Sequence, residues 1–233
     1  MKFLGRKLTL NQLAKAVLFT SLLILFCGGS GCSPTTAPEP ASDATLQETN
    51  SPDQSPASDT EVATQAAAST SKVPVIDAEA FRMAAYEGNA AIVRQALSSG
   101  VEIDAVDAQQ NLTALHMAAY NGHAHIVRIL LKNGAQVDPR DHEGKSPLTH
   151  ACTGPFQDAV ELLLESGADV NLQESTEGFT PLMMAAGLGQ ADVVKVLLKF
   201  DADPGVRDQD NDRAIDHARN GDHVEIMQLL GSG

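Results

Sequence analysis

The chain has no Trp, only two Tyr and seven Phe in 233 residues, and three Cys. Without large aromatics its core has to be built from aliphatic and small side chains. Two of the cysteines, Cys27 and Cys32, lie outside the region with folding potential, which leaves Cys152 alone inside it. A disulfide framework is thereby excluded there, and the lone thiol reads as a packed core residue, a reactive thiol being the alternative. Basic residues are also scarce. Residues 75–233 carry eleven against twenty-four acidic ones, a formal charge of −13. Such a surface repels a phosphate backbone, so nucleic acid is not an expected partner. The apolar run from Ala16 to Cys27 is twelve residues, interrupted by Thr20 and Ser21. That is too short to cross a bilayer comfortably.

What stands before that run is basic: Lys2, Arg6, Lys7 and Lys15, with no acidic residue in positions 1–32. A positive head, a short apolar core and the small residues Gly28 to Gly31 make an export signal. Its end, Gly29-Ser30-Gly31-Cys32, resembles the lipobox of bacterial lipoproteins, although that family usually has Leu where Gly29 stands. The resemblance implies that Cys32 is lipidated and becomes the mature N-terminus; ordinary cleavage and an uncleaved anchor are the alternatives. By the same resemblance the non-acidic Ser33 implies an outer-membrane lipoprotein facing the periplasm.

Residues 33–74 hold six Pro and no aromatic. This composition cannot bury enough apolar surface to offset chain entropy, so a disordered tether is expected. At flexible-chain dimensions it would span roughly 35 Å r.m.s..

Residues 75–233 repeat. Thr113-Ala-Leu-His116 recurs as Ser146-Pro-Leu-Thr149, Thr180-Pro-Leu-Met183 and Arg213-Ala-Ile-Asp216, at offsets of 33, 34 and 33 residues. A second element keeps phase: Asn133-Gly-Ala-Gln-Val-Asp138, Ser166-Gly-Ala-Asp-Val-Asn171 and Phe200-Asp-Ala-Asp-Pro204. Phe81 to Gly88 and Ser99 to Asp104 supply a degenerate first copy. The pattern resembles the ankyrin repeat, whose signature includes Thr-Pro-Leu-His and Gly-Ala-Asp-Val-Asn. The resemblance implies an all-α solenoid of about five helix-turn-helix copies: 77–111, 112–144, 145–178, 179–211 and 212–233.

Residue chemistry agrees. Thr113, Ser146 and Thr180 can cap a helix, and Pro147 and Pro181 suit its first turn. Ala84/Ala85, Ala118/Ala119, Ala151/Cys152 and Ala185/Ala186 permit close helix approach. Val193, Val194, Leu197 and Leu198, with their counterparts, make one broad apolar face on each second helix. Gly100, Gly134 and Gly167 suit left-handed helix ends, Asp201 being a tolerable substitute. The first and last copies have the look of caps on a short array.

Three clustered histidines, His116, His123 and His125, invite a metal or catalytic reading. By the repeat resemblance, His116 is structural. His123 and His125 should point to nearly opposite sides of a helix, whereas zinc wants converging ligands. His150 and His217 share a column with Met83, Met117 and Met184 and read as core. Asp208, Asp210 and Asp212 begin like a calcium loop, but Arg213 replaces its turn glycine and Arg219 its closing Glu. No nucleophile–base pair or phosphate loop is present, so no enzyme, cofactor or small-molecule substrate is expected.

The family resemblance implies binding of another protein through hairpin tips and first-helix ends. Here those positions are Tyr86, Glu87, Gln109, Leu112, Tyr120, Asn121, His142, Glu143, Lys145, Phe179 and Leu188. Tyr86 and Tyr120 should lie side by side, and they and Phe179 are the expected exposed anchors. The alternative is an envelope spacer or self-associating scaffold without a dedicated partner.

Overall fold

The computed structural model describes residues 76–231; the expected export signal, Cys32 and tether lie outside them. Ten helices and no strand occur among the described residues. They come in pairs: α1 (Ala78–Glu87) and α2 (Ala90–Ser98), α3 (Ala114–Tyr120) and α4 (Ala124–Lys132), α5 (Pro147–Ala151) and α6 (Gln157–Glu165), α7 (Pro181–Gly187) and α8 (Ala191–Lys199), α9 (Ala214–Asn220) and α10 (Val224–Gly231). First helices contact first helices down the stack, and second helices contact second helices, giving two layers. The expected all-α repeat stack is what the chain forms.

Each first helix starts where a side chain meets an orphan N–H. Thr113, Ser146 and Thr180 accept from the N–H of His116, Thr149 and Met183 at 3.4, 3.3 and 3.2 Å. Asp77 does the same for Ala80 at 2.7 Å. In the last copy Arg213 has no acceptor to offer, and the link runs the other way: the Asp216 carboxylate accepts from the Arg213 N–H at 3.1 Å. Pro147 and Pro181 occupy first-turn positions, where a missing N–H costs nothing.

The small columns are buried as expected. Ala85, Ala118, Ala119, Ala151, Cys152, Ala185, Ala186 and Ala218 are fully inaccessible, so adjacent first helices approach closely. Second helices contribute Val93, Ile126, Val127, Leu130, Val160, Leu163, Val193, Val194 and Leu197 to the same continuous core. No copy closes this core alone, and stability resides in the interfaces between neighbours. Second helices end in the left-handed region at Gly100, Gly134, Gly167 and Asp201, with φ of 82°, 89°, 91° and 62°.

Between copies run two ladders. Behind the helices, Asp104, Asp138 and Asn171 accept from the N–H of Gln136, Asp169 and Asp203 one copy on, at 3.1, 2.9 and 2.8 Å. At the hairpin tips, the N–H of His142, Ser175 and Gln209 donates to the carbonyls of Gln110, Glu143 and Glu177 at 3.0, 2.8 and 3.0 Å. Every hairpin leaves its tip through a left-handed residue: Asn111, Gly144, Gly178 and Asn211. At Gly144 a Cβ would also sit 2.9 Å from the Ser175 backbone nitrogen, so glycine is what lets this tip close on the next. Among the described residues, no helix is long and apolar enough to cross a membrane.

Candidate functional site

The histidines belong to the scaffold. His116 Nδ1 accepts from the Thr113 N–H at 3.1 Å, which places the ring proton on Nε2, where it is directed at the Lys145 carbonyl 3.2 Å away. One ring thus completes a helix cap and ties it to the next hairpin. Burial, reinforced by His150 nearby, pulls its pKa down to about 4, and the ring is neutral at pH 7.

His123 and His125 do not point to opposite sides. Their rings stand 6.0 Å apart, edge to face, because His123 is the cap residue with φ −75° and ψ 70° and has not yet entered the helix. Both reach back to the preceding copy, His123 Nε2 to the Tyr86 carbonyl at 2.9 Å and His125 Nε2 to the Gly88 carbonyl at 3.2 Å. His223 repeats the first of these contacts at the Gly187 carbonyl. No group of three or more potential metal ligands converges among the described residues. Cys152 is fully buried, and burial pushes its thiol far up, which suits packing rather than nucleophilic attack.

His217 is buried as expected and His150 half-buried, but each carries a polar pairing that the core reading did not foresee. His150 Nε2 lies 2.8 Å from Asp141 Oδ2, and His217 Nε2 lies 2.7 Å from Asp208 Oδ2. Both pairs span a hairpin of the same length, with the acid five residues before the helix cap. The other carboxylate oxygen holds the hairpin: Asp141 Oδ1 accepts from Glu143 and Lys145 N–H, and Asp208 Oδ1 from Asp212 N–H. Burial would raise the Asp141 carboxyl, but the His150 hydrogen bond and charge outweigh it and hold it below the usual carboxylate range. With both oxygens so engaged, Asp208 is the hinge of a hairpin and not the first ligand of a calcium loop.

The remaining hairpins are one residue longer, and their acids close on groups of the hairpin itself, with no helix histidine. Asp107 accepts from the N–H of Gln110 and Leu112. Glu174 accepts from the N–H of Thr176, Glu177 and Phe179 and from the Thr176 hydroxyl. Burial acts to raise Glu174, and these donors overcome it. The residue before the cap is then Leu112 or Phe179, where the short hairpins have Lys145 or Asp212, and the expectation of Leu112 as a contact and Phe179 as an exposed anchor fails. Each is only 9% exposed, turned from the tip into the stack. Phe179 packs its ring edge-on to His217, centroids 4.9 Å apart.

The other expected contact positions lie on or beside the first-helix face. Glu87, Gln109 and His142 are exposed; Tyr86, Tyr120, Asn121, Glu143, Lys145 and Leu188 are half-buried. Glu143 is paired with Lys145. The Asn121 amide donates to the Tyr86 carbonyl at 2.7 Å, which fixes the Tyr86 and Tyr120 copies side by side. Burial and the adjacent Tyr86 raise the Tyr120 phenol. Neither phenol hydroxyl has a hydrogen-bond partner among the described residues. Tyr120 also meets His150, ring centroids 6.0 Å apart. Glu177, in the column of Gln110 and Glu143, is an exposed tip residue that sequence reasoning passed over. The added residue of its hairpin puts that column out of step.

Comparison with known proteins agrees with this architecture. The ankyrin-repeat family model, built of three copies, matches residues 81–174 and again 156–233. The chain belongs to the ankyrin-repeat family. It is 36% identical over 92 residues to the rat ankyrin repeat and SAM domain-containing protein 6, covering 39% of this chain and 10% of that protein. It is 37% identical over 78 residues to the mouse ARF GTPase-activating protein GIT2, covering 34% and 11%. It is 48% identical over 50 residues to the human 2-5A-dependent ribonuclease, covering 22% and 7%. The match thus spans about a tenth or less of each of these relatives.

Proposed function

We propose that this chain is a non-catalytic protein-binding module, exported and held at a bacterial envelope by a lipid on Cys32. The observation that carries the binding role is a division of labour among side chains. Buried polar groups (His116, Asp141, Glu174, Asp208 and His217) are engaged in caps and hairpins, whereas Tyr86 and Tyr120 present neighbouring phenol hydroxyls with no hydrogen-bond partner among the described residues. Rigid, amphipathic rings beside a charged rim suit a protein contact. The export and anchoring part is supported by Lys2, Arg6, Lys7 and Lys15 ahead of the Ala16–Cys27 run, and by the lipobox-like end at Cys32. Outer-membrane placement facing the periplasm follows from Ser33.

Replacing Tyr86 and Tyr120 together by Ala should leave the urea unfolding midpoint nearly unchanged and abolish cross-linking to the partner in intact cells. Undiminished cross-linking would remove the inner face from consideration. Intact-mass measurement of the mature protein tests the anchor: a diacyl or triacyl adduct on Cys32 is expected, and an unmodified or uncleaved N-terminus would refute it.

A further inference from the structure

The inner face is not uniform along the stack. In the first two copies it is an apolar strip of half-buried side chains, Met83 and Tyr86 followed by Met117 and Tyr120. Toward the last two hairpins it becomes a carboxylate rim. Exposed Glu177 and Asp210, with Asp208, Gln209 and the edge of Phe179, line a cleft of about 220 Å³. The rim acids are unneutralised: no ion pair among the described residues reaches Glu177, Asp210 or Asp212. The cation that acts on Glu177, Lys145, is already paired with Glu143. Burial raises the Glu177 carboxyl, and the charges of Glu174 and Asp210 raise it further. A cation docked there would relieve that repulsion.

Resting on the binding role above, we infer that the inner face accepts a cationic polypeptide segment. A bulky apolar side chain lies on the Tyr86–Tyr120 strip, and Lys or Arg residues meet the Glu177–Asp210 rim. Charge complementarity selects this occupant over an acidic or neutral one. Two helix spacings of 8–10 Å separate strip from rim, so roughly six extended residues connect the anchor to the cations.

The chain lacks tryptophan, so the indole of a peptide reports binding without a label. The probe is a synthetic peptide with one Trp, six Gly/Ser residues and an Arg-Lys-Arg-Lys end, titrated into the full chain at low and at physiological salt. Two competitors accompany it, one with the basic residues replaced by Glu and one with Trp replaced by Gly. Both should bind about tenfold or more weakly, and added salt should weaken the cationic peptide. In Glu177→Gln/Asp210→Asn, with an unchanged unfolding midpoint, the preference for basic over acidic peptide should collapse. In Tyr86→Ala/Tyr120→Ala, the advantage of Trp over Gly should collapse. Equal binding of the acidic peptide, a charge preference that survives the rim substitutions, or no binding at all would overturn the inference. If no peptide binds while cross-linking through Tyr86 and Tyr120 still captures a protein, the binding module stands and its cationic ligand class falls.

Discussion

The two kinds of hairpin solve one problem differently. Where five residues separate the acid from the helix cap, at Asp141 and Asp208, one carboxylate oxygen holds the turn and the other is met by a helix histidine, His150 or His217. Where the acid stands six residues before the cap, at Asp107 and Glu174, its partners come from within the turn itself, and the helix position is Met117 or Met184. The residue before the cap is then an apolar plug, Leu112 or Phe179, in place of Lys145 or Asp212. One residue of loop length therefore decides three side chains at once. A repeat framework tolerates insertion when the buried carboxylate keeps a full set of donors.

The comparison can be broken most severely at the plug. Phe179→Ala should cost about 3–4 kcal/mol, because it empties a buried site and removes the ring against His217. Urea unfolding would show this, whereas truncating the half-exposed Tyr86 should cost far less. The cap histidine beneath the hairpins comes next. His116 has a folded pKa below its unfolded value of 6.5, so its contribution is fully present above pH 6.5 and is lost as pH falls toward about 4. The loss is on the order of 3 kcal/mol, and the stability difference between wild type and His116→Gln, followed from pH 7 to 4, should narrow accordingly.

Breaking the acid of a short hairpin should cost about 2–3 kcal/mol in Asp208→Ala, since Asp212 N–H and His217 lose their acceptor together. Adding His217→Met, the residue long hairpins use, should recover part of that loss. Additive effects in this double-mutant cycle would mean that the two side chains are not coupled. The smallest effect lies outside the hairpins. Asp138 holds one buried oxygen without a partner, and burial raises its carboxyl, outweighing the hydrogen bond from the Asp169 N–H. Its charged form thus disfavours folding as pH rises through the folded pKa. Asp138→Asn, matching Asn171 in the next copy, should stabilise by a few tenths of a kcal/mol at pH 7 and by nothing at pH 3.

Much of the stack was legible in advance. The 33-residue period, the Ala columns, the Thr113 and Thr180 caps and the left-handed Gly134 and Gly167 all follow from local rules that repeat in phase. The hairpins were harder to read. Whether Phe179 faces solvent or core depends on the length of the loop that carries it, and Asp208 meets His217 only once that loop has closed. His123 and His125 misled because helical spacing was applied to a residue that precedes the helix. The candidate surface was legible at Tyr86 and Tyr120, each of which directly follows a small-residue pair, Ala84/Ala85 or Ala118/Ala119. It was not legible at Glu177, which lies within a hairpin whose length varies between copies.

The central claim is that caps and hairpins consume the buried polar groups of the first-helix layer and leave its inner face for a partner. Site-specific photo-cross-linking in intact cells tests it most directly, with the reactive residue placed in turn at Glu87, Gln209, Arg128 and Lys195. The account predicts adducts to one other protein from the first two positions and none from the two on the second-helix layer. Adducts from Arg128 and Lys195 alone, or adducts only between copies of this chain, would contradict it.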